Sequence, residues 1–167
     1  MKILIAYAGK TGGARSMCEL LTSLLPRQEV ALFDIVNDKT HPVLGDFDYI
    51  VLGGSVRMAR LPRAARAYLK ENAEMLAKKP HTLFLCCAFP EQFENYAEMV
   101  FPRSVLEKAD ECVYFGGELD LSKQRGLDKF IVRMMRNAIK ESEDADAMLP
   151  GLLPEHVRLL ADRLSGR

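Results

Sequence analysis

Five short apolar runs, separated by segments with apolar residues at helical spacing, constrain the fold of this chain more than any other feature. The runs are Lys2 to Tyr7, Val30 to Ile35, Tyr49 to Leu52, Thr82 to Cys87 and Cys112 to Phe115. Each is too short for a buried helix and reads as a strand covered on both faces. After the first run, Ala14, Met17, Cys18, Leu21, Leu24 and Leu25 mark a helical stripe that Pro26 closes. After the third, Leu61, Ala65, Tyr68, Leu69, Asn72, Met75 and Leu76 mark another. Phe89, Phe93 and Tyr96 follow the fourth. Leu127, Phe130, Ile131, Met134, Met135 and Ala138 predict a helix over 126–140, and Val157, Leu160, Ala161 and Leu164 a last one. Strands alternating with helices, with only a short link between the second and third strands, imply an α/β fold with an open parallel sheet covered on both faces. At 167 residues the chain suits a single domain spanning 1–167.

In such a sheet, ligands bind beyond the carboxyl ends of the strands, near the point where strand order reverses. The ends after Tyr7, Leu52 and Cys87 are therefore the places to look for a site. The first continues as Gly9-Lys10-Thr11-Gly12-Gly13-Ala14 and then enters the helix. An ATP-binding loop needs a glycine four residues before its Gly-Lys pair, and that position is Leu4, inside the strand. The dinucleotide pattern GxGxxG also fails on spacing. A small-residue loop opening a helix still offers amides and the positive end of a helix dipole to one terminal phosphate. A mononucleotide is the ligand that fits.

Tyr7 to Ala14 resembles the phosphate loop of the flavodoxins, which bind FMN. The family commonly places a hydroxyl residue where this chain has Gly9 and a threonine where it has Ala14. Phe47 to Ala73 is similar to the flavodoxin-type protoporphyrinogen oxidases that pass electrons to menaquinone, with Gly54-Ser55-Val56-Arg57 filling their pattern after the third strand. The likeness continues through "VYFGGELDLSKQRGLDKFIVRMMRNAIK", so it covers nearly the whole chain. The resemblance implies a flavodoxin-like three-layer sandwich with a parallel sheet in the order 2-1-3-4-5. It also implies FMN as cofactor, held at Gly9, Lys10, Thr11, Gly12, Gly13 and Ala14. The loops Gly54, Ser55, Val56, Arg57, Met58 and Cys87, Ala88, Phe89 would flank the isoalloxazine ring with backbone groups. With no tryptophan in the chain, Met58 and Phe89 are the candidates to pack on that ring.

Arg57, Arg60, Arg63 and Arg66 surround the presumed ring loop with positive charge. Such charge stabilises reduced, anionic flavin; about 4 kcal/mol at close range converts to a rise of up to roughly 90 mV. It also suits a substrate with carboxylates. The expected function is electron transfer to a small-molecule or quinone partner, with protoporphyrinogen oxidation as the specific form. No side chain is nominated as catalytic acid or base. Gly9 and Ala14 motivate a second reading, a flavin-free binding or regulatory module with a degenerate loop. A phosphoacceptor receiver domain is excluded, since it needs acidic residues where this chain has Ala8-Gly9-Lys10 and Gly53-Gly54-Ser55.

Lys plus Arg and Asp plus Glu both number 23, which gives no electrostatic reason to expect nucleic acid. Cys18, Cys86, Cys87 and Cys112 have no CxxC spacing and no clustered histidines, so neither zinc nor a redox dithiol is expected. The apolar run at the start meets glycines and Lys10 too soon for a leader peptide, and no stretch approaches a membrane span. The cytoplasm is the expected compartment. Lys129, Arg133, Arg136 and Lys140 back the stripe over 126–140, which leaves peripheral membrane contact as a minority alternative to packing on the sheet. A homodimer through exposed helices is compatible with the sequence.

Overall fold

The computed structural model describes residues 1–117 and 151–167. The strands are β1 (Lys2–Ala8), β2 (Glu29–Asp34), β3 (Tyr49–Ser55), β4 (His81–Cys86) and β5 (Glu111–Tyr114). The helices are α1 (Gly13–Ser23), α2 (Arg63–Leu76), α3 (Phe93–Val100), α4 (Arg103–Leu106) and α5 (Pro154–Ser165). The sheet order is β2-β1-β3-β4-β5 and every pairing is parallel. This is the flavodoxin-like α/β arrangement expected above. The helix expected over 126–140 lies outside the described residues.

The three inner strands are buried almost throughout, whereas the edge strands β2 and β5 are only partly covered. That difference explains why the inner strands carry unbroken apolar runs, because alternate side chains enter two separate cores. Leu4, Ala6, Leu52, Leu69, Leu83 and Val105 belong to the core beneath α2 and α4. Ile3, Ile5, Leu21, Val51, Phe84, Phe115 and Val157 belong to the core beneath α1 and α5. Phe84 and Phe115 stack there with ring centroids 4.6 Å apart.

The amino edge of the sheet is closed by polar contacts. The Tyr49 hydroxyl donates to Asp110 Oδ2 at 2.8 Å and lies 2.9 Å from Thr82 Oγ1. Fully buried His81 places its ring nitrogens 2.8 Å from the Lys79 carbonyl and 2.9 Å from the Val105 carbonyl. Lys79 Nζ donates to the Gly45 carbonyl at 2.9 Å.

The structure shifts the bounds of the other strands by one residue and corrects the third by more. The sequence ends the third strand at Leu52, with Gly53, Gly54 and Ser55 following it, yet β3 runs on to Ser55. Glycine is a poor strand former, but here close approach to the neighbouring strands selects it. Gly53 pairs with Tyr7 on one side and Phe84 on the other.

Tyr68 is 2% exposed, and its hydroxyl has no hydrogen-bond partner among the described residues. Burial pushes its phenol up to about 12. An unmade bond of this kind costs about 1–3 kcal/mol. Tyr68→Phe is therefore expected to hold or raise the urea midpoint, by up to about 1 kcal/mol in stability. A loss of stability in that melt would show that the hydroxyl is bonded.

Candidate functional site at the carboxyl edge of the sheet

Between β1 and α1 the chain passes from extended backbone into a helix within four residues, Gly9 to Gly12. Gly12 makes the corner with φ 90°, a left-handed conformation that glycine adopts without strain. No side chain caps the start of α1, and its first turn holds no acidic residue. The first intrahelical bond runs from the Ser16 amide to the Gly12 carbonyl at 2.8 Å. The amides before it face the carboxyl edge without a side-chain acceptor, which is the arrangement that receives an anion. Lys10 is exposed and Thr11 is partly so.

Ala14 is fully buried in the core beneath α1, so this position offers an amide and no side-chain donor. Gly9 has a different neighbour from the one its sequence context indicates. A Cβ at position 9 would lie 3.3 Å from Ser55 Oγ, so the last residue of β3 brings a hydroxyl into the space that a longer residue 9 would use. The same hydroxyl bonds the Cys86 side chain. Ser55 thus stands beside the first loop as well as at the head of the second. Sequence spacing carries no signal for this proximity across strands.

The second loop is a tight turn. Arg57 and Arg60 exchange two backbone hydrogen bonds, at 2.9 and 3.0 Å, while Met58 (φ 49°) and Ala59 (φ 58°) occupy its two central positions. Two positive φ values between reciprocally bonded ends define a type I′ turn, normally built from Asn or Gly. Both residues here carry side chains, so the backbone is strained by about 1–2 kcal/mol at each. The turn holds Met58 outward, 76% exposed. Val56 is tied back by its amide to the Cys86 carbonyl at 2.8 Å and packs against the core, which makes it a support for the turn. Gly54 is buried inside β3, where a Cβ would lie 2.2 Å from the Ala8 carbonyl oxygen.

The third loop is wired to the segment after β5 at Cys87. Its amide donates to the Gly116 carbonyl at 3.0 Å, and its carbonyl accepts from the Tyr114 hydroxyl at 2.9 Å. A Cβ on Gly117 would sit 2.2 Å from that same carbonyl oxygen. The backbone of Cys87 is thus engaged in locking the loop to the segment after β5. Ala88 makes no hydrogen bond among the described residues, and Phe89 is half-buried where a 3-10 turn begins. Those two are the residues of this loop that present themselves at the edge. Tyr114 and Gly117 are the supports that the sequence reading missed.

Burial is the first cause of the upward shifts of three groups at this edge, Tyr7, Tyr114 and Cys87. Burial, reinforced by Asp34, pushes Tyr7 up to about 12. Burial raises Tyr114 to about 12 and the Cys87 thiol to about 11. Since thiolate is the reactive form, Cys87 is expected to react with iodoacetamide at neutral pH about two orders of magnitude more slowly than an unperturbed thiol. The rate should climb with pH towards 11. Fast labelling of Cys87 at pH 7, read by peptide mass mapping, would contradict this environment. Among the described residues, no group of His, Cys, Asp and Glu is placed to hold a metal ion.

Comparison with known proteins places this geometry in context. The flavodoxin domain model matches residues 4–146. Protoporphyrinogen IX dehydrogenase (quinone) of Escherichia coli strain K12 is 25% identical over 144 residues, covering 81% of this chain and 78% of that protein. Rubredoxin oxygen:oxidoreductase of Desulfovibrio gigas superposes with a TM-score of 0.54 at 12% identity, over 83% of this chain and 35% of that one. A short-chain flavodoxin associated with a non-canonical PDU bacterial microcompartment gives 0.52 at 12% identity, over 82% and 95%. The two structural likenesses speak to the fold alone.

Proposed function

The chain belongs to the flavodoxin domain family, and on that premise we propose that it is an FMN-binding oxidoreductase that passes electrons to a quinone. The observation that supports this most directly is the first loop. An uncapped helix start, a left-handed Gly12 and the Ser55 hydroxyl beside Gly9 together form a cradle for one terminal phosphate. The residues present fit the group. The amides from Gly12 to Arg15, with Thr11, Lys10 and Ser55, are the donors for the phosphate. The turn of Arg57 to Arg60 and the pair Ala88 and Phe89 are the walls for the ring. Bound FMN supplies the hydride and single-electron chemistry, and the protein supplies position and charge.

Arg57 puts positive charge in the turn, which favours a higher reduction potential than an acidic edge would give. This supports a dehydrogenase coupled to a quinone over a low-potential electron carrier. The donor proposed is a porphyrinogen, on the strength of the Escherichia coli relative's name and of the basic residues 57–66, which suit carboxylate side chains. The proposed compartment is the cytoplasm; no described helix is long and apolar enough to cross a membrane.

The test is an anaerobic assay of the FMN-loaded protein with protoporphyrinogen and a soluble naphthoquinone. Quinone-dependent formation of porphyrin is the expected result. Quinone reduction from an artificial donor without porphyrin formation would remove the porphyrinogen and leave the flavin chemistry standing. The rival, a flavin-free module, is favoured by the missing hydroxyls at Gly9 and Ala14, and a colourless protein that takes up no flavin would establish it.

A further inference from the structure

We propose that the Met58 turn and the solvent face of α2 form a docking surface for an anionic lipid bilayer. The observation is a set of cations without counterions beside an apolar tip. Arg60, Arg63, Arg66 and Lys70 are all exposed, and none has an ion-pair partner among the described residues. Elsewhere the helices pair such residues four apart, as Arg15 with Glu19, Lys78 with Glu74 and Arg103 with Glu107.

Arg63, Arg66 and Lys70 follow one another at spacings of three and four, which places them on one stripe of α2. The buried residues Ala65, Tyr68, Leu69 and Leu76 occupy the opposite face. From Arg57 to Lys70 the chain has no acidic residue at all; Glu71 and Glu74 come later, and Glu74 is already held by Lys78. The whole chain has a formal net charge of zero, so this basicity is local. The stripe begins at Arg63, three residues after the turn that carries Met58, which is 76% exposed.

Charge complementarity selects the partner. A strip of arginine and lysine gains attraction from the negative surface of a bilayer within a Debye length. An outward methionine held in a strained turn gains by entering the boundary between headgroups and acyl chains. An acidic protein would satisfy the cations, but a lipid surface is also where a quinone dissolves. In this respect the inference deepens the proposed function and rests on it; the docking itself does not require flavin.

The experiment is co-sedimentation of the purified full chain with vesicles of phosphatidylcholine containing phosphatidylglycerol, at low and high salt. Flavin absorbance of each sample is read alongside, so loss of cofactor and loss of docking are separate results. Binding to the anionic vesicles, weakening as salt rises, is expected. Arg63→Glu/Arg66→Glu/Lys70→Glu should partition more than about 100-fold more weakly, since the loss of three surface cations alone predicts about that factor and the carboxylates add repulsion. Should that variant misfold, Arg63→Gln/Arg66→Gln/Lys70→Gln carries the same test with a smaller loss. Met58→Ser should weaken binding about tenfold through its lost apolar area. No sedimentation at low salt, or equal sedimentation of wild-type and the charge variant, would overturn the proposal. Equal binding to vesicles of pure phosphatidylcholine would also overturn it.

Discussion

Replacing Gly53 with alanine is expected to destabilise the protein by about 3 kcal/mol or more, at the upper end of what overpacking costs. Gly53 lies in the central strand β3 and is paired on both sides, with Tyr7 of β1 and Phe84 of β4. A Cβ there would lie 1.9 Å from the Phe84 carbonyl oxygen and 2.8 Å from the Phe84 ring. The near atom is backbone in a buried sheet, so relief requires β3 and β4 to move apart, at the expense of ladder bonds and of packing around Phe84 and Phe115. Equilibrium urea denaturation is the measurement. The control is Gly45→Ala, where the nearest atom to a new Cβ is Val43 Cγ1 at 3.8 Å. That substitution should change stability by less than about 0.5 kcal/mol. Similar midpoints for the two variants would mean that the close approach at β3 is not as described.

Lys10→Glu is expected to weaken FMN binding by at least about thirtyfold. Lys10 is exposed in the loop whose amides converge on the proposed phosphate, so its attraction is screened by water and counts for less than a buried pair. Reversal removes that attraction and adds a repulsion between like charges, so the effect exceeds that of neutralisation. Lys10→Gln should therefore fall between the wild-type and Lys10→Glu. Fluorescence titration at two ionic strengths checks the account, because the gap between the variants should narrow as salt rises. Unchanged affinity in Lys10→Glu would leave the phosphate elsewhere than this loop.

The inner strands were legible because burial on two faces writes an unbroken apolar run, whereas the short α4 left no such mark. Ile3, Ile5, Leu4 and Ala6 show this in β1, where alternate residues enter different cores. The order of the strands was not legible from that pattern; it came with the resemblance carried by Tyr7 to Ala14 and by Phe47 to Ala73. The end of β3 was misplaced because Gly53 and Gly54 look like a break, while their function in the sheet depends on how close Phe84 and Ala8 come. That distance is a tertiary property.

The candidate site was legible in its segments and less so in its wiring. Gly9 to Ala14, the turn at Met58 and the loop at Cys87 were all located by their positions after strands. A type I′ turn built from Met58 and Ala59 carries no Asn or Gly to announce it. The capture of the Cys87 carbonyl by Tyr114 joins residues 27 apart in sequence. Gly9 lacks a hydroxyl of its own, and the Ser55 hydroxyl that lies beside it comes from another strand. Each of these depends on strands that adjoin in space, and helical or strand periodicity records nothing about such neighbours.

The central claim is that this edge holds FMN, and the most direct test is titration of FMN into flavin-free protein, following fluorescence and absorbance. The expected result is one saturable site with micromolar or tighter affinity, strongly weakened by Lys10→Glu and also weakened by Ser55→Ala. A titration that never saturates, or a site indifferent to both substitutions, would contradict it.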